Sequence, residues 1–252
     1  MLNEERRQRI KEILTVKKRI LVNEMSGEFN VSPVTIRKDL EILEKRGILT
    51  RVHGGAIINH SSVQDLALTE KERIHTNEKR RIAELAESLI NPGDTIILDS
   101  GSTTTQLARL LKFKKDITVI TNAVNIASEL AASELTVILT GGILREQSFS
   151  LVGPIAEDSL RSITADILFL GVDGIDFKYG MTTPNFLEAR VNKMMIQVAE
   201  QVIVLADSSK FGRRSTGVID NLQQVDKIIT DSNISPSDRQ KLKALEIQVL
   251  IV

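Results

Sequence analysis

Several polar clusters in the second half of the chain carry residue types able to hold or move charge. Asp99-Ser100-Gly101-Ser102-Thr103-Thr104 follows an apolar run and opens a helical pattern. Gly101 lets the backbone approach a ligand there, and the hydroxyls with the first amides of a helix can surround a phosphate. The Gly-Lys pair of a P-loop is missing, and so is a dinucleotide fingerprint. Thr121-Asn122, Thr140-Gly141-Gly142 and Asp173-Gly174-Ile175-Asp176 follow later apolar runs, and Asp207-Ser208-Ser209-Lys210 adds a cation that could meet an anion. Each alone is also ordinary turn chemistry, or for Lys210 a surface ion pair. Together they could converge on one crevice.

A different chemistry is written near the start. Ser32 can cap a helix that Pro33 opens, and Ile36, Leu40 and Leu43 mark its buried stripe, leaving Val34, Lys38 and Glu41 on the exposed face. A short helix near 23–29 precedes it across the tight turn Asn30-Val31, and a longer one over 4–17 carries Ile10, Ile13 and Leu14. Two short helices joined this way, with polar and basic residues in the first turns of the second, fit a duplex major groove. Gly47 should end the helix, and residues 48–56 read as a strand pair with a glycine tip, a wing from which Arg51 and His53 would reach the adjacent backbone or minor groove. A three-helix packing module with solvated charges would share the composition, though not the ordered set of cap, proline, basic turn and glycines.

The elements that must carry the later clusters alternate. Apolar runs at 95–98, 117–121, 135–139, 167–172, 202–206, 227–230 and 247–252 are separated by helical patterns. Strands buried on both faces read this way, so the fold class is α/β, a mainly parallel sheet covered by helices behind an N-terminal winged helix-turn-helix. Ligands of such sheets sit at the carboxyl ends of strands, where the polar clusters fall. Between the two parts, residues 58–69 lack periodicity and suggest a hinge, followed by one long charged helix from Glu70 to Leu89. The expected organisation is 1–57 as the winged helix-turn-helix for DNA, 58–75 as linker and 76–252 as the α/β body, to which the resemblance stated below adds a phosphosugar-sensing role.

Charge and composition narrow the classes. Of 33 residues of each sign, residues 1–58 hold 12 basic and 8 acidic, leaving 21 and 25 for the rest, so a net zero hides a basic head on an acidic body. No cysteine removes disulfides and thiolate chemistry. No apolar run approaches a membrane span and the N-terminus has no signal core, so a cytoplasmic protein without a membrane partner is expected. With no Trp and one Tyr there are few stacking platforms for single strands, which favours duplex DNA. His53, His60 and His75 show no carboxylate motif, so neither a metal nor a cofactor is expected.

Through Ser32–Leu40 and His53-Gly54-Gly55-Ala56 the head resembles the DeoR family of repressors. From about Asn77 the body resembles that family's sensor domain, notably at Ile97–Gly101, Thr140–Gly142, Phe169–Asp173 and Asp207–Phe211, so the likeness covers nearly the whole chain. Lys38 stands where arginine is commoner, a change that keeps charge for a phosphate but loses the bidentate fork for guanine. The resemblance implies a body related in fold to ribose-phosphate isomerase and the glucosamine-phosphate deaminases. It also implies operator duplex DNA as one partner and a phosphorylated sugar as effector, with galactosamine-6-phosphate and its N-acetyl form the candidates if the operon serves amino sugars. The residues so implicated are Ser32, Pro33, Val34, Thr35, Arg37, Lys38, Arg51, His53 and Gly54 for DNA. For the effector they are Asp99, Ser100, Gly101, Ser102, Thr103, Thr104, Thr121, Asn122, Gly141, Gly142, Asp173, Glu188 and Lys210.

The isomerase comparison matches Asp173 and Asp176 to an acidic pair and Glu188 to a base, yet the expected lysine has no counterpart in Gly180–Asn185, with only Lys178 nearby. An enediolate would lack its cation, so a binding crevice is expected rather than an active site. The alternatives are a phosphosugar isomerase or deaminase-like enzyme fused to a DNA-binding head, and a scaffold whose body only dimerises. Symmetry argues for a homodimer or homotetramer.

Overall fold

In a computed structural model, which describes residues 3–17, 19–45, 48–58 and 65–252, the chain folds as two units, 1–61 and 62–252. The first contains α1 (Asn3–Lys17), β1 (Arg19–Leu21), α2 (Val22–Phe29), α3 (Pro33–Lys45), β2 (Leu49–Val52) and β3 (Gly55–Ile58). Each helix turns one apolar stripe inward, and Ile10, Leu14, Met25, Ile36 and Leu40 meet Ile20, Leu49 and Ala56 in a single core. Asn30 ends α2 in the left-handed region at φ 50, and Ser26 Oγ donates to the Val31 carbonyl at 2.6 Å, which fixes the turn. Ser32 Oγ then accepts the Thr35 amide at 3.2 Å, so the anticipated cap is made. Gly47 and residues 59–64 of the expected linker lie outside the described residues.

The wing forms as an antiparallel pair, and β1 adds a third strand in the order β1-β3-β2. A Cβ at Gly55 would stand 2.1 Å from the Ile20 carbonyl oxygen, so only glycine lets β3 lie against β1. Asp39 on α3 is buried and accepts from Arg6 Nε at 2.6 Å and Arg7 Nε at 3.0 Å, tying α3 to α1.

The body opens with α4 (Leu68–Glu72) and α5 (Thr76–Glu87). The single helix expected from Glu70 to Leu89 is therefore two, broken at His75, whose φ of 53 is left-handed. The break lets Leu68 bury and its amide donate to Gln147 O at 2.7 Å, so this stretch packs on the body instead of hanging from it. Next come β4 (Thr95–Leu98), α6 (Ser102–Leu111), β5 (Thr118–Thr121), α7 (Val124–Leu130) and β6 (Thr136–Leu139). A hairpin of β7 (Ile143–Arg145) and β8 (Ser150–Val152) leads to α8 (Pro154–Arg161), β9 (Ala165–Gly171), β10 (Gly174–Asp176), β11 (Gly180–Thr183) and α9 (Phe186–Val198). The chain finishes with β12 (Ala199–Leu205), β13 (Gly217–Asp220), β14 (Lys227–Thr230), α10 (Pro236–Ala244) and β15 (Gln248–Ile251).

All seven anticipated strands form one sheet, ordered β15-β14-β12-β9-β4-β5-β6, with every pairing parallel. Alternation along the strands divides the core. Ile97, Leu168, Leu170 and Val204 face α8, α9 and α10, whereas Ile96, Leu98, Phe169 and Leu205 face α5, α6 and α7. The antiparallel set β10-β11-β13 and the β7-β8 hairpin were not expected. Among the described residues no helix is long and apolar enough to cross a membrane.

Candidate functional site

On the head, Ser32, Pro33 and Val34 begin α3 on its exposed side, with Val34 68% exposed and Thr35 half-buried. Arg37 and Lys38 point away from the Ile36 and Leu40 stripe, and neither pairs with an acid among the described residues. Arg51 is exposed but occupied. Its amide donates to Glu44 Oε1 at 2.8 Å and its Nε to Oε2 at 2.7 Å, and these bonds hold the Glu44 carboxyl below the usual range. A DNA phosphate would therefore compete with Glu44 for Arg51. His53 and Gly54, the latter at φ 77, form the exposed wing tip.

In the body the strand order fixes where a ligand can sit. From β4 the chain winds outward through β5 and β6, then returns to the other side of β4 with β9 and winds the opposite way. The crevice outside the carboxyl ends of β4 and β9 is the switch point of such a sheet. A cleft of about 540 Å³, open solvent at its mouth included, lies there, walled by Asp99, Gly171 and Asp173 from the two strand ends. Ser100, Gly101, Ser102 and Thr103 line it at the start of α6. A Cβ on Gly101 would stand 3.1 Å from Thr104 Oγ1 and 3.5 Å from Asp99 Oδ1.

The charges are arranged in two groups. Asp99 Oδ1 accepts the Gly171 amide at 2.9 Å, and burial pushes its carboxyl up to about 7. Burial also raises Asp173, but Lys71 Nζ at 2.7 Å and Lys210 Nζ at 3.9 Å outweigh it and hold the carboxyl below its ordinary value. Glu188 is fixed by Arg145 at 3.3 Å, Ser150 Oγ at 3.0 Å and Thr183 Oγ1 at 3.4 Å. Arg145 also holds Asp65, so one guanidinium links the cleft to the chain entering the body. Lys79 donates to the carbonyls of Lys71 and Ile74, and burial first, then the nearby Lys210, lowers its amine to about 8. Three ammonium groups and the first amides of α6 can thus receive a dianion. The three carboxylates can accept from hydroxyl or amino donors.

Of the residues expected around the effector, the structure brings Asp99, Ser100, Gly101, Ser102, Thr103, Asp173, Glu188 and Lys210 together. It does not bring in the other five. Thr104 Oγ1 is engaged by the Gly101 amide at 2.8 Å and the Asp99 carbonyl at 2.8 Å. Thr121 donates to the Leu98 carbonyl at 2.7 Å and Asn122 to the Leu151 carbonyl at 3.2 Å. Gly141 and Gly142 pack against Ile155 and Val152, where side chains would collide. Asp176 caps the β10–β11 turn by accepting the amides of Lys178 and Tyr179, and Lys178 lies over the Tyr179 ring, so neither lines the cleft.

Sequence reasoning missed Lys71, Lys79, Ser148, Thr183 and Asn192, all of which line it. Lys79 alone left a signal, for it shares the apolar stripe of α5 with Ile82, Ala83 and Ala86.

Comparison with known proteins agrees in both units. Residues 6–62 match the DeoR-like helix-turn-helix domain and residues 74–232 the DeoR C-terminal sensor domain. The chain is 42% identical over 251 residues to a candidate aga operon transcriptional repressor of Escherichia coli O157:H7, covering 98% of this chain and 93% of that one. It is 37% identical over 252 residues to the regulator GlpR of Haloferax volcanii, covering 99% and 98%. Among solved structures, ribose 5-phosphate isomerase A of Methanocaldococcus jannaschii superposes on 54% of each chain with a TM-score of 0.40 at 19% identity.

Proposed function

Because the chain belongs to the DeoR family, and is a DNA-binding transcription regulator rather than an enzyme, we propose that it represses a sugar catabolic operon and releases its operator when a phosphorylated sugar enters the switch-point cleft. The observation that carries this reading is the convergence of Lys71, Lys79 and Lys210 with the α6 N-terminus on one cleft at that switch point. The phosphate takes the lysines and the Ser102–Thr103 amides. The sugar's polar groups take Asp99, Asp173 and Glu188, a donor-hungry wall that suits an amino sugar such as galactosamine-6-phosphate, or its N-acetyl form. In this reading residues 1–57 bind DNA, 76–252 sense the sugar and 58–75 connect them.

The same cleft suggests how the two are coupled. Lys71 lies on α4, the first helix after the unit boundary, and its bond to Asp173 must be shared with any incoming phosphate. An effector that redraws that bond acts on the segment by which the chain enters the body. For the sugar to release DNA it must bind the DNA-incompetent arrangement better, and linkage then requires DNA to weaken sugar binding by the same factor. Reciprocal titrations at fixed salt, sugar affinity with and without operator and operator affinity with and without sugar, test this. A coupling of about 1–3 kcal/mol predicts roughly 5- to 150-fold in each direction. Equal affinities with both ligands bound would end the induction reading.

A further inference from the structure

We infer that Arg145 is a relay: occupancy of Glu188 in the cleft sets how firmly Asp65, and with it the chain entering the body, is held. Arg145 Nη1 donates to Glu188 Oε1 at 3.3 Å and to Ser148 Oγ at 3.1 Å, while its Nη2 donates to Asp65 Oδ2. One cation thus serves two carboxylates, and among the described residues neither has a second basic partner. Asp173 differs, because it has two lysines and both line the cleft with it. Asp99 has none. Glu188 is therefore the cleft carboxylate whose counter-charge is also committed outside the cleft, since neither Arg145 nor Asp65 lines it.

The sharing is lopsided in a way that lets it shift. The side chains of Arg145 and Glu188 are mostly out of water, where screening is weak, and the planar guanidinium can offer separate nitrogens to two acceptors. Its bond to Glu188 is longer than the about 2.7–2.9 Å of a strong charge-assisted pair, and Ser150 Oγ already donates to the same Oε1 at 3.0 Å. A hydroxyl or amine that donates to Glu188 takes over the carboxylate, and the guanidinium then gives its charge to Asp65. The surrounding hairpin passes this on. Ser148 Oγ lies 2.8 Å from Ser150 Oγ, and in the same turn the Gln147 carbonyl accepts the Leu68 amide at 2.7 Å, so β7–β8 grips the cleft wall and the entering chain together. Leu68 is buried and begins α4, which carries Lys71 back into the cleft. That a sugar is the donor to Glu188 rests on the function proposed above; the division of Arg145 between two carboxylates does not.

Glu188→Gln removes the competing charge and keeps an acceptor for Ser150, so it imitates the occupied state. In the full chain without DNA or sugar, it should slow hydrogen exchange at Leu68 and along α4 by a few-fold, whereas simple damage to the cleft would speed it. In an Arg145→Lys background, where one ammonium replaces the two-sided fork, that slowing should vanish. Asp65→Asn, at a half-exposed position that tolerates the change, should speed exchange at Leu68 and be non-additive with Glu188→Gln. Exchange that is unchanged or faster in folded Glu188→Gln, a slowing that survives Arg145→Lys, or unchanged exchange in Asp65→Asn would each overturn the relay. With operator and galactosamine-6-phosphate, Asp65→Asn should still bind the sugar but lose about 2- to 30-fold of the mutual effect of the two ligands. A full mutual effect in that variant also overturns the relay. No mutual effect in the wild type would instead refute the function proposed above, while the exchange measurements still decide the relay.

Discussion

Asp39 lies in α3, the helix assigned above to DNA, yet its own side chain is buried away from that face. Its carboxylate is buried, with side-chain exposure of 3%, between Arg6 at 5% and Arg7 at 15%, all three drawn out of water. Replacing it with alanine leaves a buried Arg6 guanidinium without its counter-charge, a change that costs about 3–5 kcal/mol, far above the value of a surface pair. The head spans 61 residues, and at about 0.05–0.15 kcal/mol per residue its whole stability is about 3–9 kcal/mol. Asp39→Ala should therefore unfold the head in a substantial fraction of molecules at ambient temperature and leave the body intact. Hydrogen exchange read by mass spectrometry would show α1 and α3 amides losing protection while β4, β9 and β12 keep theirs. Operator affinity should fall with the folded fraction, and ligand-induced stabilisation of the body should persist. Asp39→Asn, which keeps one acceptor for Arg6, should lie between. If Asp39→Ala lowers head stability by less than about 1 kcal/mol, the pair behaves as a surface contact and the reasoning is refuted.

Arg37→Ala should weaken operator binding and, where Arg37 meets a phosphate, reduce the salt slope by about one; an unchanged isotherm across salt would remove it from the interface. Gly101→Val, whose Cβ would crowd Thr104 Oγ1 at 3.1 Å, should abolish the thermal shift given by galactosamine-6-phosphate without unfolding the body, and a full shift would place the phosphate elsewhere. Asp99 has a folded pKa raised from 3.8 to about 7, so between those values the folded body binds a proton that the unfolded chain has lost. Stability should then fall as pH rises through that window. Asp99→Asn, able to keep the Gly171 bond, should melt higher than wild type at pH 8, with the gap closing toward pH 4.

The sheet was legible because its strands are buried on both faces, so β4, β9 and β12 read as unbroken apolar runs. The three-residue β1 was not, since Arg19-Ile20-Leu21 has no alternation to detect and forms only because Gly55 lets β3 approach. The cleft was half legible for a related reason. Strand ends fixed Asp99, Gly101 and Asp173, but a polar residue after a strand looks the same whether it serves a ligand or the backbone, as Thr104 and Thr121 do. Lys71 and Ser148 come from segments outside the βα pattern, and only the tertiary fold delivers them. The expected acidic pair fails in the same way, because Asp176 is consumed by the hairpin that positions Asp173.

The position of β4 at the centre of the sheet bears on how the body is made. Its partner β5 follows within 20 residues, but its other partner, β9, emerges from the ribosome some 70 residues later, as the Asp99–Gly171 bond across 72 positions records. Until then β4, β5 and β6 can lean only on α5, α6 and α7, and the face carrying Ile97 and Ile120 waits uncovered for α8 and α9. The head, whose contacts are local, is complete long before. A nascent chain thus carries a finished DNA reader ahead of an open, sticky half-sheet, the kind of slow parallel closure that exposes chains to aggregation and to chaperones. Stalling translation before residue 165 should yield a folded head on a protease-sensitive body, and release past 205 should restore protection in a single cooperative step.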